Sequence, residues 1–249
     1  MKTTSSIFPR RQGGFTMVEL AIVLVIAGII LAAVLKGTDM INKAKIERVT
    51  ADLKGLQGML LEHEKRTARL PGDCNENGII EFTNFTPNAI DNNTLGYNTI
   101  GDPDGAGRCD TAGTSEGDDA NRVWSDLRKA NIVDPTRTNI NLTKHTLSDF
   151  YAVGSIQSSI TGSPVNTIVA YGLPLWLAKG IDVAIDGPQT DPGDELAGGG
   201  RGRVRLYAIE GGGVTPDGAA WPTDTVGSGD YQFVAITYQF DTRMVQPVL

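Results

Sequence analysis

An apolar run opens this chain. It extends from Phe15 to Leu35 and is broken by a single acid, Glu19. About twenty such residues are enough to cross a bilayer as a helix. Beyond Lys36-Gly37 the pattern changes to a stripe. Ile46, Val49, Leu53, Leu56, Leu60 and His63 step by three and four, while Lys43, Lys45, Glu47, Arg48, Asp52 and Lys54 fall largely off it. That spacing predicts one helix from Phe15 to about Arg66, apolar all round at first and amphipathic afterwards. Leu70-Pro71-Gly72-Asp73 stops it, because Pro cannot continue a helix and Gly favours a turn.

Shorter signals follow. Val123, Trp124 and Leu127, with Ile132 and Val133 beyond, predict a helix over 120–130. Asp118-Asp119 before it and Arg128-Lys129 at its end suit the helix dipole. Leu175 to Ile185 predicts another, ending at Asp186-Gly187-Pro188. Thr167–Tyr171, Arg203–Glu210 and Tyr231–Phe240 read as strands, the last two by clean alternation. Gly199–Gly202 and Gly211–Gly229 supply turns. The fold class is α+β: a long N-terminal helix packed on a small antiparallel sheet of three or four strands, with short helices and long loops. The expected divisions are a leader over 1–14, a membrane and assembly helix over 15–36, an amphipathic extension over 37–68, and a globular head over 69–249.

The leader sharpens the picture. Lys2, Arg10 and Arg11 precede Gly14, and no acid does. Positive charge before a first span holds that end in the cytoplasm. A secretory signal peptide has a shorter apolar core and gains nothing from Glu19. A plain anchor accounts for the length but not for the Gly-Phe junction or the acid. Ionisable residues inside a span are costly and are functional candidates by default.

The stretch Gly14-Phe15-Thr16-Met17-Val18-Glu19 resembles the type III signal of the type IV pilin and type II secretion pseudopilin superfamily. The resemblance implies that a prepilin peptidase cuts after Gly14 and N-methylates Phe15. It implies a filament in which Glu19 meets the Phe15 amine of a neighbouring subunit. Both are then assembly residues that fix axial register. It implies a single-pass protein of a bacterial inner membrane, with a cytoplasmic N-terminus and a periplasmic head. Expected partners are prepilin peptidase, identical or related pilin-like subunits, inner-membrane lipid and an assembly platform. Two head segments also look pilin-like: Trp124-x-x-Leu127-x-x-Ala130-x-Ile132, and the Ile181-Asp182 and Ile185-Asp186 pairs before a Gly loop. Many major pilins carry a Pro early in the long helix. None stands in 15–70 here, which tilts the reading toward a pseudopilin or minor pilin. A minor tip subunit binding substrate, surface or DNA, and a periplasmic protein that never polymerises, are the alternatives.

Charge and cysteine content bound the head. Removing the three leader cations takes the formal charge from −7 to −10, which opposes broad nucleic-acid binding. Cys74 and Cys109 are the only cysteines. In an oxidising compartment they are expected to pair, closing a loop for which chain entropy assigns roughly 3–4 kcal/mol. Two free thiols are the alternative. Asp73, Asn75 and Asn77, with Gly78 next and an apolar residue at Ile80, resemble the first part of a calcium loop. Position twelve is Asn84, not Glu. An Asx-turn loop bonding its own backbone explains the same residues. Asp102, Asp104 and Asp110 offer a second acidic loop near Cys109. Asp182 and Asp186 read as a solvated face or a cation pair, and His63 and His145 as surface or satisfied residues. Trp124 reads as core. Neither an H-E-x-x-H nor a phosphate-binding Gly loop occurs, so no enzyme is expected.

Overall fold

The computed structural model describes residues 14–83, 85, 120–145, 147, 149–158, 162–188, 202–209, 219, 221–222 and 233–240. It divides into two compact units, Met1–Ala44 and Lys45–Leu249. Helix α1 runs Met17–Thr67. In the first unit its residues are exposed, Phe15 ahead of it at 81%, Met17 and Leu24 on it among them. A helix this apolar on every side requires lipid or other apolar helices around it. It is the one helix among the described residues long and apolar enough to cross a membrane.

The second unit is α+β. After α1 come α2 (Arg122–Lys129), α3 (Asn139–Thr143), β1 (Tyr151–Gln157), β2 (Pro164–Pro174), α4 (Leu175–Asp186), β3 (Val204–Ile209) and β4 (Phe233–Gln239). The four strands form one antiparallel sheet in the order β1-β2-β4-β3. From α1, Val49, Leu53, Leu56 and Leu60 share one core with Ile168, Val169, Ile236 and Tyr238 of the sheet. The predicted stripe is therefore the buried one through His63, with Thr50 added. Two tyrosines set its register: Tyr238 donates to Gln57 Oε1 at 2.7 Å and Tyr151 to Asp52 Oδ2 at 3.5 Å. Gly180 of α4 lets the Ile46 side chain approach, since a Cβ there would lie 2.4 Å from Ile46 Cδ1.

Helix α1 ends at Thr67, within a residue of the predicted Arg66. Ala68 adopts a left-handed φ of 63° and donates its N–H to Glu64 O at 2.8 Å. The turn through Gly72 then brings the chain under α2, where the Asp126 carboxylate accepts from Gly72 N (3.0 Å) and Arg69 Nη2 (3.3 Å). Helix α2 departs from the one-sided expectation. Arg122 to Arg128 are all buried, polar residues included.

Segment 80–85 covers the outer edge of β1. Ser155 N donates to Phe82 O at 2.8 Å and Ser155 Oγ to Ile80 O at 2.8 Å. Gly154 permits this approach, because a Cβ would sit 2.1 Å from Phe82 O. Strand β1 and helix α3 were not predicted. Strands β2, β3 and β4 lie where the alternation placed them, with β2 longer at both ends.

Candidate processing and assembly site

The candidate site is built on the first turns of α1. Residues 14–16 precede the helix, and a Cβ added at Gly14 would meet nothing within 4 Å. The Gly14-Phe15 peptide bond therefore lies outside regular structure, and among the described residues nothing crowds Gly14.

Thr16 and Glu19 close the helix start reciprocally. Thr16 N donates to Glu19 Oε2 at 2.8 Å, and Thr16 Oγ1 donates to the same oxygen at 2.8 Å. Glu19 N in turn donates to Thr16 Oγ1 at 3.2 Å. This is a capping box, which satisfies amides that a helix start otherwise leaves without partners. A carboxylate at this end also complements the positive helix pole. From sequence Glu19 was assigned an intersubunit partner; the Thr16-x-x-Glu19 spacing also carries a capping signal.

The model of the prokaryotic N-terminal methylation motif matches residues 9–35. Residues 9–35 are a prepilin-type signal. The signal contains the Gly14-Phe15 junction, the capped Glu19 and the exposed apolar helix together. Such signals mark type IV pilin-like and pseudopilin substrates of prepilin peptidase. With its apolar helix the signal fits a membrane-anchored protein. No curated protein and no solved structure matches the chain.

The head residues singled out by sequence lie apart from the signal in the chain. Asp73 is buried, and its Oδ1 and Oδ2 accept from Asn77 N (3.2 Å) and Gly78 N (2.8 Å). Asn75 Oδ1 accepts from Asn77 N at 3.0 Å, and Asn77 Oδ1 from Ile79 N at 2.7 Å. Each residue proposed for calcium thus bonds the loop's own backbone. Among the described residues no group of three or more His, Cys, Asp or Glu could hold a metal ion. Cys74 lies in this loop, its Sγ 3.3 Å from Arg122 Nη1. Cys109, Asp102, Asp104, Asp110 and the leader cations Lys2, Arg10 and Arg11 lie outside the described residues.

The expectation for Asp182 and Asp186 changes: they do not form one solvated face, although Asp186 is exposed. Asp182 is buried and accepts from Trp221 Nε1 at 3.1 Å. Asp186 Oδ2 accepts from Arg203 N (2.9 Å) and Val204 N (2.8 Å), so it anchors the entry to β3. Their partners lie 17 to 39 residues away, beyond any local pattern. Of the two readings for His63 and His145, surface or satisfied, the second holds: both are buried and hydrogen-bonded. Trp124 is core, as its sequence pattern implied.

Proposed function

We propose that this chain is a structural subunit of a type IV pilus or a type II secretion pseudopilus. Prepilin peptidase cleaves it after Gly14 and methylates the new Phe15 amine. Subunits then assemble through residues 15–35, with Glu19 accepting the Phe15 amine of a neighbour. The chain crosses the inner membrane once, with its N-terminus cytoplasmic and its head periplasmic. Its role is structural rather than catalytic. Platform proteins and related pilin-like subunits are its partners.

One observation carries the reading: inside the matched methylation motif, a Gly14-Phe15 bond outside regular structure is followed at once by a capped helix start and a fully exposed apolar helix. The capping box stops the helix short of the bond to be cut. Glu19 then holds a carboxylate one helical turn from the amine that cleavage creates. The Cys74–Cys109 disulfide belongs to the same proposal, supported by the absence of a free thiol at Cys74.

The test is intact mass and N-terminal sequencing of the protein from membranes, with and without prepilin peptidase. A chain that starts at Phe15 and is one methyl group heavier is expected only with the enzyme. A chain retaining Met1 in both samples would refute processing, and one starting beyond Leu35 would show a secreted soluble domain.

A further inference from the structure

His145 sits at the one place where a buried imidazole faces both a donor and an acceptor of the backbone. Leu147 N donates to its Nδ1 at 3.1 Å. An amide can only donate, so Nδ1 is the bare nitrogen and the proton rides on Nε2. Nε2 then donates to the Tyr171 carbonyl at 2.8 Å. That carbonyl lies in the bulge of β2, where the register against β4 shifts between Ala170 and Leu173. Gly172 follows with φ +61°, packed so closely on Asp149 that a Cβ would sit 1.9 Å from Asp149 Oδ2. The neutral ring therefore ties the turn 145–150 to an irregular point of the central sheet. His145 N to Asp149 O (2.8 Å) and Tyr171 N to Phe150 O (3.2 Å) complete the closure.

Charged and titratable groups surround the ring on every side. From α1 come Asp52 and its ion-pair partner Arg48, 3.3 Å apart. From β1 comes Tyr151, its ring centroid 5.1 Å from the imidazole and its hydroxyl on Asp52. The turn itself carries Lys144 and Asp149, and β2 carries Tyr171. Asp52 favours an imidazolium. Burial opposes it more strongly and holds the ring below its ordinary value. A second proton would also place an N–H on Nδ1 directly against the Leu147 N–H. His63 makes the contrast. Its Nδ1 faces the Arg69 carbonyl (3.0 Å) and the Thr67 hydroxyl (3.1 Å), with no amide donor opposed to it.

We propose that His145 is an acid-opened latch of the head. Proton uptake at Nδ1 expels the Leu147 amide, frees the 145–150 turn from the β2 bulge and loosens the adjoining Tyr151 contact with Asp52 of α1. The direction follows from linkage. The folded value lies below that of the open state, near 6.5. Closure is thus fully favoured above about 6.5, and the open fraction grows about tenfold for each pH unit below it. The growth stops once pH falls below the folded value.

Hydrogen exchange of the full chain in detergent micelles tests this, at pH 7 and pH 5 with intrinsic rates corrected. Peptides over 144–158 and 165–174 should lose protection at pH 5, by up to about 25-fold. Peptides of α4 should not change. In His145→Gln, which cannot take up the proton, the loss should vanish. Equal wild-type protection at both pH values, or the same acid loss in the variant, would overturn the latch. Should the variant not fold, nitrogen NMR of the wild-type imidazoles decides. The Nε2–H form should persist below pH 6.5, and the Leu147 amide shift should follow the same proton. Protonation of His145 with the Leu147 and Tyr171 amides unmoved would refute the proposal.

Discussion

Asp126→Asn removes a charge and keeps the volume. Asp126 is 3% exposed and reaches from α2 to the turn that follows α1. Its Oδ2 holds Gly72 N at 3.0 Å and Arg69 Nη2 at 3.3 Å, and Oδ1 lies 3.8 Å from Lys129 Nζ. Breaking a buried ion pair from one side costs about 3–5 kcal/mol. The Arg69 side chain is 27% exposed and can recover water, which lowers the figure. Asn still offers one oxygen to Gly72. The expected loss is about 2–3 kcal/mol, in line with a hydrogen bond to a charged group. Asp126→Ala also strands the Gly72 amide and should cost more. Urea unfolding of the full chain in micelles, followed by tryptophan fluorescence, reads this directly, since Trp124 lies two residues away in the core. A cycle with Arg69→Met isolates the pair. An Asp126→Asn variant within about 0.5 kcal/mol of wild type, or a cycle with no coupling, would show that the carboxylate does not hold α2 to the turn.

Gly180→Val should destabilise by about 1–3 kcal/mol through overpacking against Ile46, seen as a lower urea midpoint; an unchanged midpoint would mean α4 shifts freely. Tyr207 is buried, with its phenol pushed up to about 12. Its contribution is complete below the unfolded value near 10 and is lost as pH rises toward 12, so tyrosinate absorbance should show it ionising only with unfolding. Ionisation near 10 in folded protein would contradict its burial. Glu19→Ala should still insert and be cleaved but leave the sheared-filament fraction empty; filaments at wild-type yield would remove Glu19 from assembly. Calcium added after chelation should leave the melting temperature unchanged, because Asp73, Asn75 and Asn77 already bond loop amides; a rise of several degrees would make the loop a calcium site.

The α1 stripe was readable because burial there follows helical period alone: Val49, Leu53, Leu56 and Leu60 recur at three and four. β3 and β4 were readable from the alternation of residue types along the chain, although their burial is nearly continuous. β1 carried no such signal. Tyr151 to Ser155 are buried without interruption, and Gly154 weakens the strand pattern. That glycine is required by the Phe82 carbonyl, a contact some seventy residues distant. Helix α3, Asn139–Thr143, contains weak helix formers and is decided by its surroundings. At the candidate site the Gly14-Phe15 junction and Glu19 were legible. The cap is equally legible in Thr16-x-x-Glu19, the capping-box spacing. Asp182 and Asp186 could not be placed from sequence, since tertiary donors decide whether an acid is solvated.

The covered edge of β1 bears on crowding. Wherever many copies stand side by side on one membrane, their heads meet at concentrations far above those of free solution. A bare strand edge there invites another chain to zip on, the route to cross-β aggregates. The Phe82 carbonyl already takes the Ser155 amide that an incoming strand would need. At that position the edge is closed from within its own chain, which hinders sheet extension when heads pack closely.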